Sequence, residues 1–234
     1  MPVLQAAQEA LLHLFFPHTC AGCGTDVLSS RQQLCASCIH ALPQTHFVTH
    51  ANNPVEQSFW GRLPLRAAAA VYYETKGSLL QRIIYACKYG GNKELGLALG
   101  RLMGTALNNS NRFGKIDALV PLPLHPKKER KRGFNQSLLL CHGISEETGI
   151  PVLKNAVRRN TPTQSQTRKN REQRWENMKD RFEITRATAL QHKHLLLVDD
   201  VTTTGATIEA CGRALLQADE VSLSVLTLAY AGGN

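Results

Sequence analysis

Residues 195–207 constrain this chain more than any other segment: Leu195-Leu196-Leu197-Val198-Asp199-Asp200-Val201-Thr202-Thr203-Thr204-Gly205-Ala206-Thr207. The fully apolar run 195–198 reads as a buried strand that delivers two carboxylates at its carboxyl end. A turn of hydroxyls with a single glycine follows and leads into a helix over 204–217. The free N–H groups and the positive dipole end of that helix form an anion cradle. Gly205 lets a phosphate approach the backbone closely, and Thr202, Thr203, Thr204 and Thr207 add hydroxyl donors. Carboxylates just upstream suit the vicinal hydroxyls of a sugar or a magnesium ion, which prefers oxygen ligands. Together these features point to a 5-phosphorylated ribose. The segment has no Gly-Lys-Ser/Thr of a Walker loop and no GxGxxG of a dinucleotide fingerprint.

The rest of the chain places this segment in an α/β fold. Strand patterns fall at 67–73, 118–121, 152–157, 195–198 and 221–228. Helical patterns fall at 78–85, 94–107 and 135–148, the first two separated by Lys88-Tyr89-Gly90-Gly91. Strands alternating with helices imply a mainly parallel sheet flanked by helices. A length of 234 residues suits one core with a small appendage. The pattern divides the chain into an apolar helix and a cysteine lobe over 1–48, a polar linker over 49–64 and a main domain over 65–234.

The amphipathic helix over 3–16 has no Lys or Arg on its polar face, so it reads as a docking helix and not a membrane-surface one. No apolar run approaches the roughly 18–20 residues a membrane span needs. The opening residues lack the basic start and small-residue cleavage site of a secretory signal, so a cytoplasmic protein is expected.

Four of the seven cysteines form two knuckles, Cys20-x2-Cys23 and Cys35-x2-Cys38, with eleven residues between them. Such spacing can set four thiolates tetrahedrally around zinc. Gly22 and Gly24 give the first knuckle its tight backbone. Four cysteines leave no open coordination position, so the expected zinc is structural, in a zinc-ribbon-like lobe whose folding depends on it. His18 and His40 flank the site and read as surface residues. Cys87, Cys141 and Cys211 read as small core residues, and Trp60 and Trp175 as packing residues.

The formal net charge of +9 favours anionic partners. Lys127, Lys128, Arg130, Lys131 and Arg132 stand against one acid, Glu129, and Lys127, Lys128 and Lys131 read as a solvated face. Residues 158–181 hold a second basic stretch between two strands. It reads either as a lid over an active site or, with Trp175, as a nucleic-acid groove.

The run 195–207 resembles the phosphoribosyl-pyrophosphate (PRPP) signature of type I phosphoribosyltransferases. The remaining motifs narrow the resemblance to the ComF family of competence-associated, GntX-like proteins. They are the cysteine knuckle after an apolar helix, Tyr85-Ala86-Cys87-Lys88-Tyr89-Gly90, and Pro121-Leu122-Pro123-Leu124-His125-Pro126 followed by Arg130-Lys131-Arg132-Gly133-Phe134-Asn135-Gln136. Thr163, Gln166, Arg174, Asn177 and Phe182 fall at the spacing of a further family loop, from which Lys169 departs.

The resemblance implies a type I phosphoribosyltransferase fold and Mg²⁺-dependent transfer of a 5-phosphoribosyl group from PRPP to an unnamed acceptor. Asp199 and Asp200 would hold the ribose hydroxyls and the metal, and residues 202–207, Ala206 included, would cradle the 5-phosphate. Pro123, Leu124 and His125 would meet the pyrophosphate, with Arg132, Asn135 and Gln136 behind them and Lys88 nearby. Gln166, Arg171 and Arg174 would belong to a flexible loop closing over PRPP. The alternative is a non-catalytic adaptor in DNA uptake or utilisation that binds DNA or competence-machinery proteins.

Overall fold

A computed structural model describes residues 19–26, 28, 32–159 and 182–232. The expected helix over 3–16, His18, Trp175 and the loop residues Gln166, Arg171 and Arg174 lie outside the described residues. The described chain forms strands β1 (Ala68–Tyr73), β2 (Ala118–Pro121), β3 (Val157–Arg159), β4 (Phe182–Ile184), β5 (His194–Thr202) and β6 (Ser222–Tyr230). Its helices are α1 (Ala36–His40), α2 (Pro54–Gln57), α3 (Leu79–Tyr89), α4 (Lys93–Asn108), α5 (Pro126–Arg132), α6 (Gln136–Thr148) and α7 (Ala206–Leu215).

The main sheet has the order β1-β6-β5-β2, and every pairing in it is parallel. Leu195, Leu196, Leu197 and Val198 are each 0% exposed, as expected for a strand covered on both faces. The fold class is therefore the expected one, a parallel sheet flanked by helices with a cysteine cluster near the N-terminus. Strands β3 and β4 form a separate antiparallel pair.

Several boundaries differ from the sequence pattern. β5 continues four residues beyond Val198 because β6 pairs with it through Thr202↔Tyr230, so Asp199 and Asp200 sit inside the strand. The strand expected over 152–157 is broken. Val152 makes only an isolated parallel bridge to Leu119, and a turn separates it from β3. Helix α3 runs through Lys88 and Tyr89, so the break begins at Gly90 and not at Lys88. The basic run expected as a solvated face is itself helical: Pro126 sits in the first turn, His125 caps it, and Gly133 closes it with φ +79°.

Within 49–64, Asn53, Val55, Phe59 and Leu63 are buried. Asn53 caps α2 and also donates through Nδ2 to the Ala68 carbonyl at 2.9 Å, which ties the stretch to the start of β1. Glu56 accepts from the Ala68 N–H and pairs with Arg112. Trp60 is 61% exposed, against the expectation that it packs inside. Cys87, Cys141 and Cys211 are buried, as expected.

Helices α4 and α6 pack through glycines. Gly96, Gly100 and Gly104 repeat every fourth residue on α4, where Leu139, Leu140 and Glu147 of α6 press against them. On the α6 side, a Cβ on Gly143 would fall on the Leu97 carbonyl. That close approach holds α6 at the depth from which its first turn reaches β5. Gly143→Ala should lower stability by about 1–3 kcal/mol, the range for overpacking a tight core contact. Denaturant unfolding checks it, with a shifted midpoint at unchanged slope as the expected result.

Candidate functional site

Two candidate centres lie in the described residues. The first is the cysteine cluster. The Sγ atoms of Cys20, Cys23, Cys35 and Cys38 all lie within 4.8 Å of one another, and Cys23 Sγ and Cys35 Sγ are 3.7 Å apart. Metal–sulfur bonds of about 2.3 Å at tetrahedral angles set sulfur–sulfur separations of roughly 3.8 Å. The cluster could hold a metal ion.

Backbone N–H groups already face the sulfurs: Gly22 and Cys35 donate to Cys20 Sγ at 3.4 and 3.3 Å, and Cys38 donates to Cys35 Sγ at 3.4 Å. Burial opposes ionisation of Cys20, yet hydrogen bonds from the backbones of Cys35, Cys23 and Gly22 bring its thiol down to about 6. The Cys38 thiol moves up, chiefly through burial and then through its sulfur neighbours. Gly22 leaves room for the cluster, since a Cβ there would lie 2.7 Å from Cys38 Sγ.

The second centre stands at the carboxyl end of the main sheet, the side on which open α/β sheets bind ligands. Successive strand residues point to opposite faces. Asp199 accepts from Ser137 Oγ at 3.0 Å in the first turn of α6, whereas Asp200 pairs with Lys88 Nζ at 2.8 Å near the end of α3. Burial pushes the Asp199 carboxyl up to about 7, and the Asp200 charge adds to the shift. The Asp200 backbone N–H, the Ser137 hydroxyl and the Lys88 charge pull the other way. The Asp200 charge also adds to burial in raising the Cys87 thiol to about 11.

Beyond the aspartates the chain turns at Gly205, which has φ +72° and occupies the N-cap of α7. No side chain among the described residues caps that helix, so its first N–H groups lack a side-chain partner. Residues 201–208 and Asp199 enclose a hollow of about 70 Å³ there. Thr203, Thr204 and Thr207 are exposed, while the buried Thr202 Oγ1 has no hydrogen-bond partner among the described residues. Gly205 is required twice over: by its backbone angle, and because a Cβ would lie 2.6 Å from the Phe59 ring.

Arg62 braces the same turn, donating to the Thr204 carbonyl at 3.0 Å and to Glu209 on α7. Phe59, Arg62 and Ser137 were not singled out from the sequence. Arg62 and Thr204 are 142 residues apart, and no local pattern pairs them. Ser137 directly follows the Asn135-Gln136 motif, which was the one available signal for it.

The 123–125 loop leaves β2 beside β5. His125 accepts from the Lys127 N–H at 3.2 Å. Partial burial, and then Arg159, Lys127, Lys128 and Arg130 around it, hold the imidazole below its ordinary value and hence neutral at pH 7. Asn135 Nδ2 donates to the Leu122 carbonyl at 3.0 Å and joins the start of α6 to this loop. Arg132 donates to Gln136 Oε1 at 2.8 Å, but the buried Gln136 Nε2 has no partner among the described residues. The Gln136 side chain borders the same small gap as Lys88 and Asp200. The structure thus brings Lys88, Asp199, Asp200, Gln136 and the 202–207 turn to one end of the sheet.

Competence protein F of Haemophilus influenzae is 26% identical over 233 residues, a match covering 93% of this chain and 99% of that protein. The chain is a homologue of this competence protein. DNA utilization protein YhgH of Escherichia coli K12 is 30% identical over 152 residues, 64% of this chain and 66% of that protein. Competence protein ComFC of Bacillus subtilis is 28% identical over 172 residues, covering 71% of this chain and 65% of that protein. The chain therefore spans just under two thirds of the length of these latter relatives.

No family model matches the chain. Among solved structures, an allosteric regulatory enzyme of purine biosynthesis aligns with TM-score 0.43 and 16% identity, covering 60% of this chain and 29% of that one. The glutamine PRPP amidotransferase of B. subtilis, complexed with ADP and GMP, aligns with TM-score 0.42 and 16% identity, covering 60% and 30%. This chain spans less than a third of the length of either structure. No helix among the described residues is long and apolar enough to cross a membrane.

Proposed function

We propose that this chain binds PRPP and transfers its 5-phosphoribosyl group to an acceptor, releasing pyrophosphate. One observation carries the reading. An uncapped helix N-terminus and a hydroxyl-rich turn enclose a small polar hollow immediately after two strand-borne carboxylates. A dianionic 5-phosphate suits the hollow, because the α7 N–H groups and dipole favour negative charge there. Thr203, Thr204 and Thr207 would donate to the phosphate. Asp199 and Asp200 would accept from the ribose hydroxyls.

In the transfer, the bond from C1 to the pyrophosphate oxygen breaks as the acceptor's bond to C1 forms. The ribose passes through an oxocarbenium-like state that nearby carboxylate charge stabilises. Positive charge from Arg132 and Lys88, together with the 123–125 loop, would face the leaving pyrophosphate. Mg²⁺ bound with PRPP would offset part of the pyrophosphate's negative charge, and the carboxylate oxygens of Asp199 and Asp200 fit such an ion. In this reading the cysteine cluster holds one structural zinc.

A second reading has its own support. The relatives are named for competence and DNA utilisation, and the net charge of +9 suits a polyanion. In that reading the chain binds DNA or partner proteins without transferring a ribosyl group. Calorimetric titration separates the two. PRPP should bind only with Mg²⁺ present, and its affinity should change little between 50 and 200 mM salt. DNA binding through phosphate contacts would weaken steeply over the same range. A wild-type protein that takes up no PRPP at any Mg²⁺ concentration would falsify the first reading.

A further inference from the structure

The site described above leaves one feature unused. Tyr85 and Tyr89 are among the most exposed large apolar side chains in the described residues, at 65% and 56%. Aromatic rings of that size are rarely left in water without a use when they are grouped. They lie four residues apart on α3, which places them on one face one turn apart, and their ring centroids are 4.6 Å apart with a 43° tilt. The Arg132 guanidinium lies 5.3 Å from the Tyr89 ring centroid.

These rings line an open cleft of about 540 Å³ together with Glu74, Gln81, Arg82, Lys88 and Val201. That volume suits a small organic ligand. The cleft adjoins the candidate ribose site, because Val201 lines both it and the phosphate hollow, and Lys88 lines the cleft while pairing with Asp200. Its wall is polar at one point. Gln81 Nε2 donates to Glu74 Oε1 at 2.7 Å, which leaves the other Glu74 carboxylate oxygen to accept from a ligand. The cleft therefore combines aromatic faces for stacking, cations at the rim and one acceptor for an N–H edge.

We propose that this cleft binds a nucleobase, stacked on Tyr85 and Tyr89 with its N–H edge toward Glu74. Every base has a π-face to offer, and an amino-bearing base such as adenine also offers the donor edge. The base comes either free or as part of a single strand. Its role as the acceptor of the ribosyl group rests on the phosphoribosyl reading, whereas the stacking itself does not.

The test is titration of the full-length protein with adenine and with a twelve-nucleotide oligo(dA), each with and without PRPP and Mg²⁺. Tyr85→Ala and Tyr89→Ala should each weaken the base or the oligonucleotide by about fivefold to a hundredfold, the range for losing one stacked face. Tyr85→Phe should bind as wild type does. PRPP binding should be unchanged in Tyr85→Ala. Both rings are exposed, so the alanine variants should melt with the wild type. A variant that does not is replaced by Tyr→Leu, which keeps apolar bulk without a π-face.

Tyrosine-dependent binding of adenine supports the proposal with a free base as ligand, and tyrosine-dependent binding of the oligonucleotide alone supports it with a strand as the source. Tyrosine-dependent binding in a protein that takes no PRPP leaves the nucleobase site standing and removes the phosphoribosyl reading. A wild type that binds neither probe, or alanine variants that bind both unchanged, overturns the nucleobase site whatever PRPP does.

Discussion

Replacing Cys35 by Ser should drop the zinc content from about one per chain to near zero and unfold the region around 19–42 before the sheet. Four sulfurs within 4.8 Å of one another are costly without a metal, because the thiolates repel and the thiols offer little cohesion. Structural zinc sites in small peptides contribute an apparent binding free energy of about 10–16 kcal/mol, and that energy is folding energy. Among the described residues of 19–42, the buried apolar ones are Cys20, Leu28, Leu34, Cys38 and Leu42, and they belong to the same cluster as the larger core.

Hydrogen exchange should show the loss. Amides of Cys20, Gly24 and Cys35, which are hydrogen-bonded within the lobe, should exchange fast in Cys35→Ser and in chelated wild type. Those of β5 and β6 should stay protected. Substoichiometric zinc in the purified wild type, with exchange untouched by a chelator, would count against a structural metal. Acid should release the metal too, since protons compete for the thiolates.

The reach of sequence reasoning can be seen in particular residues. Hydrophobic runs found the central strands because β5 and β6 are buried on both faces and their composition shows it. The four-cysteine cluster was legible because knuckle spacing encodes its geometry directly. The length of β5 was not legible: Asp199 and Asp200 break the apolar run, yet the β6 ladder continues past them to Thr202. A strand is extended by its neighbour, and the sequence shows only one partner at a time.

The helix α5 was hidden for a related reason. Pro126, Lys127 and Lys128 look like a polar loop, but proline in the first turn and a His125 cap start a helix with no buried face at all. Apolar periodicity cannot register such an element. The residues that brace the site were the least legible. Phe59 sets the space at Gly205, and Arg62 holds the Thr204 carbonyl, but both lie in a stretch whose polar composition read as a linker. Their roles follow from tertiary packing across more than a hundred residues of sequence.

The sharpest test of the ribose site is Asp200→Asn, for which PRPP affinity or turnover should fall by about tenfold to a thousandfold, the range for removing one electrostatic contact in a closed site. The substitution keeps the side chain's size and most of its hydrogen bonding, so the loss reports charge. Asp200 is also paired with Lys88, and the two side chains are only 18% and 21% exposed. Breaking the pair leaves a partly buried ammonium without its partner, so stability should fall as well, by about 1–3 kcal/mol, less than the cost at a fully buried pair. A Lys88→Met, Asp200→Asn double variant should recover part of that stability without recovering PRPP binding, which separates the two effects.

Asp199 supplies a further readout. Its carboxyl stands at about 7, above its ordinary value, in part because Asp200 is charged. A carboxyl raised in the folded state destabilises the fold as pH climbs from about 4 to 7, because the unfolded chain ionises first. Asp200→Asn removes the neighbouring charge, so the Asp199 titration should move down and that loss of stability should shrink. Denaturant midpoints measured from pH 4 to 7.5 in both proteins check this. Equal slopes, together with undiminished PRPP binding in the variant, would show that Asp200 serves neither the ligand nor the titration of its neighbour.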